Sequence, residues 1–291
     1  MGIFDQNNEP FSDSELSRHI ERALAVDGPR GPMFELSYPI LRRLFKPQLL
    51  ATANIPQEPC LFIGNHSLFA MDGMVLGPVL FHEQGRFLRG LGDKFLWHSF
   101  TEEYLLGQGA AIGHPQVCSA LMEHGADLMV FPGGAHEATK TQEQRYTLQW
   151  RERYGFIRLA AKHNYPIVPM AIMGPDEFFD HAIEGRDLPD TALGQLLARM
   201  GLISDDTRRD MLPPLPLGAL GLPLPKPQRC YIQFGEPVRP VQSRGRPPGK
   251  QKLRQYRDQV GGQIEAMLQE LMALRDEDRN QQGWLRALLT R

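Results

Sequence analysis

The order of apolar and polar positions changes character twice along the chain. Near the start, Ser12 and Glu15 form a capping-box pair ahead of Leu16, Ile20 and Leu24, which recur at helical spacing. This predicts an amphipathic helix that Pro29 and Gly31 bring to an end. From Phe34 to Lys46, bulky apolar residues alternate with a small basic cluster of Arg42, Arg43 and Lys46. Two arrangements fit that pattern. One is a helix covering the core; the other is an interfacial helix with its aromatic face in lipid and its cations near headgroups.

From Cys60 onward the apolar runs shorten to strand length and are bounded by glycine or proline. They predict strands over 61–63, 87–91, 127–131, 167–173 and 231–234. Helical stretches fall between them, at roughly 69–82, 94–106, 116–124 and 155–163. Strands alternating with helices argue for an α/β fold, a single sandwich domain with a largely parallel mixed sheet flanked by helices. Residues 211–225 are free of charge and rich in leucine and proline, which rules out a regular helix. They fit either a loop packed on the body or an apolar lip facing membrane or an acyl chain. Residues 242–251 read as a basic linker, and a last helix begins near Lys252 with Leu253, Tyr256, Val260, Ile264, Met267, Leu268 and Leu271 on one stripe. Gly261 and Gly262 weaken that helix in its middle. The resulting division is an N-terminal helical segment (1–48), an α/β core (49–240) and a basic linker with the C-terminal helix (241–291).

Composition narrows the possible partners. The 291 residues are 42% hydrophobic and 23% charged, with a net charge of -2, so no general pull toward nucleic acid is expected. Three widely spaced cysteines, Cys60, Cys118 and Cys230, read as reduced thiols. The N-terminus shows no secretory leader, Gln6 spoils a myristoylation match, and no apolar run reaches the ~20 residues a bilayer crossing needs. The expectation is a cytoplasmic protein, with membrane association, if any, peripheral and at the cytoplasmic face.

Two short blocks carry chemistry. Asn65-His66-Ser67 follows the first of the buried strands, and Asp72 lies shortly downstream. A neutral imidazole can take the proton of an alcohol as its oxygen attacks, and a carboxylate behind the ring fixes the tautomer and stabilises the imidazolium. The same separation occurs at His181 and Asp187, in a polar stretch without a strand, so spacing does not decide the matter. The setting does: sites of α/β sheets gather where strands end and helices begin. The second block, Phe131-Pro132-Gly133-Gly134, breaks a strand with a turn whose N–H groups could face an anion or oxyanion; a plain turn is the alternative. His136 and Glu137 sit at its rim or on the surface. Among the cations, Arg86, Arg89, Lys94, Arg151 and Arg153 are candidates for donor phosphates.

Asn65-His66-Ser67 with Asp72 resembles the first motif of the glycerolipid acyltransferase family, which includes lysophosphatidic acid and glycerol-3-phosphate acyltransferases. Phe131-Pro132-Gly133-Gly134 resembles its Phe-Pro-Glu-Gly motif, and Tyr165-Pro166-Ile167-Val168-Pro169-Met170 is similar to its late strand. Asn54-Ile55-Pro56 and Phe234-Gly235-Glu236-Pro237-Val238 fit as well, and Lys94-Phe95-Leu96 with 107–113 is similar to the second motif region. The resemblance covers residues 49–238. The sequence departs from it in two ways. The histidine–aspartate gap is one residue longer, and Gly133 replaces the third motif's glutamate, with no arginine just after. These departures, the Gly133-Gly134 to Glu137 spacing and the run Trp150 to Phe156 look more like the diacylglycerol acyltransferase branch, which implies a neutral acceptor.

The expected activity is O-acyl transfer from an acyl thioester, acyl-CoA or acyl carrier protein, to a lipid or neutral alcohol. The resemblance implies no metal or redox cofactor. His66 is the expected base and Asp72 its orienting acid. Asn65, Ser67, Arg89, Phe131, Pro132, Gly133, Gly134, Glu137, Arg151 and Arg153 are the expected substrate contacts. The alternatives are a catalytically silent lipid-binding protein on the same scaffold, a lysophospholipid acyltransferase, and a metal-dependent hydrolase built on His66, Asp72, His136 and Glu137.

Overall fold

A computed structural model describes residues 11–93, 96, 97, 100–201, 203, 209, 212–242, 245–280 and 283–290. The expected Lys94–Phe95 part of the second motif lies outside these residues, as does Met211. The centre of the fold is a seven-stranded sheet. Its strands are β1 (Gln48–Leu50), β2 (Leu61–Gly64), β3 (Leu88–Gly92), β4 (Ala111–Ile112), β5 (Asp127–Val130), β6 (Ile167–Met173) and, last in the chain, β9 (Tyr231–Phe234). They run in the order β1-β9-β6-β2-β5-β3-β4. Every neighbouring pair is parallel except β6 with β9. The sheet is therefore mixed and largely parallel, as the strand–helix alternation predicts.

The central strands are apolar on both faces because helices cover both. Every residue of β2 and β6 is buried. One face carries α1 (Asp13–Leu24), α5 (Pro115–Glu123), α7 (Gly155–His163) and α9 (Lys250–Asn280), whose apolar residues join one core cluster with Leu61, Ile63 and Leu128. The other face carries α3 (Met71–Gln84), whose Leu76 and Leu80 pack with Phe62, Met129 and Val168. Helix α2 (Pro32–Leu44) lies outside α3, with Tyr38 and Leu41 turned inward and Met33, Leu36, Ile40 and Leu44 exposed.

Several local expectations are met in detail. The Ser12–Glu15 capping box is present, with Ser12 N–H donating to Glu15 Oε2 at 2.8 Å. Helix α9 begins two residues before the expected Lys252 and runs through Gly261 and Gly262 without a break. Its stripe of Leu253, Val260, Ile264, Met267, Leu268 and Leu271 is buried. Elsewhere the structure differs. Among the described residues of the helix expected over 94–106, the α-helical part is α4 (Glu102–Gly107). The apolar lip contains β8 (Leu215–Leu217), which pairs antiparallel with β7 (Asp180–Ile183) in a separate two-stranded sheet. Beyond β8 it exposes Leu220, Leu222 and Leu224.

Topology sets the site. Strands β2 and β5 are adjacent and parallel, with Ile63 opposite Val130. The two sequence blocks, which begin at Asn65 and Phe131, leave these strands at the same edge, so the crossover connections bring them together. Gly64, the last residue of β2, lies so close to β6 that a β-carbon there would stand 3.1 Å from Met170 O.

Candidate active site

The segment between β2 and α3 folds back on itself. Phe69 and Ala70 both take left-handed backbone, φ 57° and 55°, a conformation uncommon outside glycine. This turn returns Asp72, in the first turn of α3, to the residues just after β2. Asp72 N–H donates to Ser67 Oγ at 3.0 Å, and Ser67 N–H donates back to Asp72 Oδ2. Gly73 N–H donates to Asp72 Oδ1 at 2.6 Å. The fully buried Asp72 carboxyl is thereby fixed as an acceptor, and His66 Nδ1 lies 2.8 Å from its Oδ2. An acceptor carboxylate makes Nδ1 the donor, which leaves the lone pair of the neutral ring on Nε2.

The second block closes over the ring. Phe131 stacks on the His66 imidazole with centroids 4.3 Å apart and planes 5° apart. Gly134, at φ 53°, closes the turn by donating its N–H to Phe131 O at 2.9 Å. The expectation that Gly134 N–H faces an oxyanion is corrected here, since that hydrogen is already donated within the turn. Pro132 O accepts from Arg153 Nη1 at 3.0 Å, and that guanidinium lies against Gly134. Glu137, from the short helix α6 (Gly134–Ala138), is wholly buried. Its Oε1 accepts the His66 N–H at 3.0 Å. Burial pushes the Glu137 carboxyl up to about 7, while Lys140 and the His66 N–H pull the other way.

The remaining expected contacts separate into two groups. Arg153 reaches the turn; Arg151 is exposed on the loop two residues earlier. Asn65 and Ser67 are at the site but their side chains serve the main chain. The Asn65 amide pairs with both the N–H and the C=O of Ile172 in β6, at 2.8 and 2.9 Å. Arg89 does not point to the site. Its buried guanidinium donates to Gly109 O, Val26 O and Ala23 O at 3.0, 3.1 and 3.0 Å, tying the end of α1 to β3. Arg86 is similarly engaged, with the carbonyls of Pro56, Gln57 and Glu58 and with Asp127. His181 pairs with Glu184 at 3.0 Å, not with Asp187. Among the described residues no group of three His, Cys, Asp or Glu side chains is placed to hold a metal ion. Sequence reasoning missed Lys140, whose Nζ donates to His66 O at 2.6 Å, and Phe179, whose ring meets Phe69 edge-on at 5.8 Å. Neither has a local signature: Lys140 sits in a polar stretch, and Phe179 is one of two phenylalanines set between Glu177 and Asp180.

Comparison with known proteins follows the same residues. Residues 47–205, just over half of the chain, match the model of the diacylglycerol acyltransferase family. Phytyl ester synthase 2, chloroplastic, of Arabidopsis thaliana is 25% identical over 238 residues, 77% of this chain and 34% of that protein. An uncharacterised protein of Mycobacterium tuberculosis is 31% identical over 69% of this chain and 55% of its own length. The DGAT1/2-independent enzyme synthesizing storage lipids of Bos taurus is 32% identical over 40% of this chain and 35% of that protein. This chain thus spans about a third of the length of the plant relative. Among solved structures, the 1-acyl-sn-glycerophosphate acyltransferase PlsC of Thermotoga maritima superposes with a TM-score of 0.45 at 11% identity, covering 89% of this chain and 84% of that one.

Proposed function

We propose that this chain, which belongs to the diacylglycerol acyltransferase family, moves a fatty acyl group from a thioester onto the hydroxyl of a neutral lipid or alcohol. The observation that carries the reading is the buried His66 Nδ1 to Asp72 Oδ2 contact of 2.8 Å, with Phe131 stacked on the ring. The acceptor's hydroxyl proton passes to His66 Nε2 as its oxygen attacks the thioester carbonyl carbon. The tetrahedral intermediate collapses, the C–S bond breaks, and the thiolate leaves. The proton on Nε2 then passes to sulfur, so the products are an ester and a free thiol and the base is restored. Asp72 holds the ring and stabilises the imidazolium between the two transfers.

A neutral acceptor is favoured by the departures at the third motif and by relatives named for phytyl ester and storage-lipid synthesis. Arg153, an exposed cation beside the Gly134 turn, is the residue we assign to the phosphates of an acyl-CoA or acyl carrier protein donor. The acceptor is delivered from a membrane surface by peripheral contact. No described helix is long and apolar enough to cross a bilayer, while α2 presents an apolar stripe flanked by Arg43 and Lys46.

The test is acyl transfer by the purified protein from labelled acyl-CoA or acyl carrier protein to a panel of alcohols. His66→Ala should abolish turnover and leave acyl-ligand binding intact, and Asp72→Asn should lower kcat by roughly 10²–10⁴-fold. Wild-type turnover in His66→Ala would remove the base and with it this reading.

A further inference from the structure

His66 sits on backbone that belongs to neither strand nor helix and is buried, so its main-chain polar groups need partners from elsewhere. On one side, Asn65 is pinned to β6 through Ile172. On the other, Ser67 N–H is taken by Asp72. That leaves the N–H and C=O of His66 itself. Glu137 Oε1 accepts the N–H at 3.0 Å, and Lys140 Nζ donates to the C=O at 2.6 Å. Lys140 is 6% exposed and also lies 2.7 Å from Asp176 Oδ2, which accepts Tyr146 N–H at 2.8 Å. Asp176 is the counter-charge that makes a buried ammonium tolerable there.

We propose that Lys140, held by Asp176, is a positioning residue that grips the His66 carbonyl while Glu137 grips the N–H, fixing where Nε2 meets the substrate. Both side chains come from the stretch that follows the glycine turn. The second sequence block and the residues just after it therefore act on the first: Phe131 sets the plane of the ring and Glu137 and Lys140 set its anchor point. A tether this close to the base affects the approach of Nε2 to a hydroxyl proton, where a displacement of about 1 Å is worth roughly 100-fold in rate. Lys140 is buried with its ammonium engaged by His66 O and Asp176, so its loss is expected to fall on kcat and not on substrate affinity. The inference rests on His66 acting as the base.

The experiment compares wild type with Lys140→Met, which fills the space without a donor, and, should that variant fail to fold, Lys140→Gln, which also removes the charge but keeps a shorter neutral donor. Expected are a fall in kcat of roughly 10–100-fold with KM changed by less than about twofold, and displaced or broadened His66 ring signals in ¹⁵N-histidine NMR while those of the distant His19 and His163 stay in place. The proposal is overturned if the folded variant keeps its kcat and its His66 signals and shows only a lower melting temperature. Should wild type transfer no acyl group to any alcohol, the functional reading fails separately, and the ring signals still decide whether Lys140 positions His66.

Discussion

Glu137 occupies the space that a side chain on Gly133 would fill. A β-carbon on Gly133 would stand 1.9 Å from Glu137 Oε2 and 2.4 Å from Glu137 Cβ. In the motif that this block resembles, an acidic residue stands at the position of Gly133. Here the acid comes from one helical turn later and folds back into the vacant volume. The exchange explains why the block reads Gly-Gly and still has a carboxyl against His66 N–H.

Gly133→Ala should therefore expel Glu137 and strand the His66 N–H. We expect a loss of roughly 1–3 kcal/mol in stability, from overpacking and from one unpaired buried donor, and a fall in kcat. A double-mutant cycle with Glu137→Ala checks the cause. If the two side chains compete for one volume, the double variant loses less than the sum of the singles. Additive losses would refute the competition.

Burial of Glu137 also sets a pH dependence. Its carboxyl is raised from 4.5 to about 7, chiefly by desolvation. Above pH 4.5 the unfolded chain releases this proton while the folded chain retains it, so stability falls as pH rises toward 7 and levels off beyond. The contribution is on the order of 3 kcal/mol. Glu137→Gln has no proton to release there and can still accept from His66 N–H. Relative to wild type it should gain stability across that window, as read by urea unfolding at a series of pH values. Parallel curves would show that the carboxyl is not held neutral by the fold.

The sequence made some levels of this structure readable and hid others. Strands such as Ile167–Met173 declare themselves because a strand buried on both faces must be apolar throughout. The Asp72 return to His66 was also readable, since only a short loop separates them. Arg89 was misread because a buried guanidinium and a solvated one have the same local sequence; its partners, Ala23 and Val26, come from a distant helix end. Strand β8 was hidden by Pro216, which is tolerated because the strand belongs to a two-stranded sheet where one side has no ladder to break. Lys140 was hidden because only the adjacency of β2 and β5 brings it to His66.

The reassigned Arg89 gives a prediction opposite to that of a donor-binding arginine. Burial holds its guanidinium down at about 10, and three main-chain carbonyls are its hydrogen-bond partners. Arg89→Met leaves those carbonyls without a donor and loosens α1 from β3. We expect about 3–5 kcal/mol of destabilisation in denaturant unfolding, and a KM for the acyl donor within about twofold of wild type in whatever remains folded. A KM that rises at unchanged stability would return Arg89 to the substrate.

Helix α2 provides the most direct test of membrane contact. Its inward residues, Phe34, Tyr38 and Leu41, recur at helical spacing and pack toward α3. A second apolar stripe remains in solvent, with Met33, Leu36, Ile40 and Leu44 exposed at 61%, 58%, 54% and 42%. A helix with one stripe docked and another bare, flanked by exposed Arg43 and Lys46, matches an interfacial segment lying flat on anionic lipid. Each half-exposed leucine or isoleucine that enters the bilayer contributes about 1 kcal/mol. Leu36→Gln with Ile40→Gln should then weaken liposome binding by roughly 30-fold or more, with the melting temperature held, because neither side chain packs in the core. Arg43→Gln with Lys46→Gln removes about 1 kcal/mol per cation on anionic vesicles and nothing on neutral ones, a difference that added salt should erase. Flotation that is equal for wild type and the Leu36/Ile40 variant would mean that lipid does not cover this stripe.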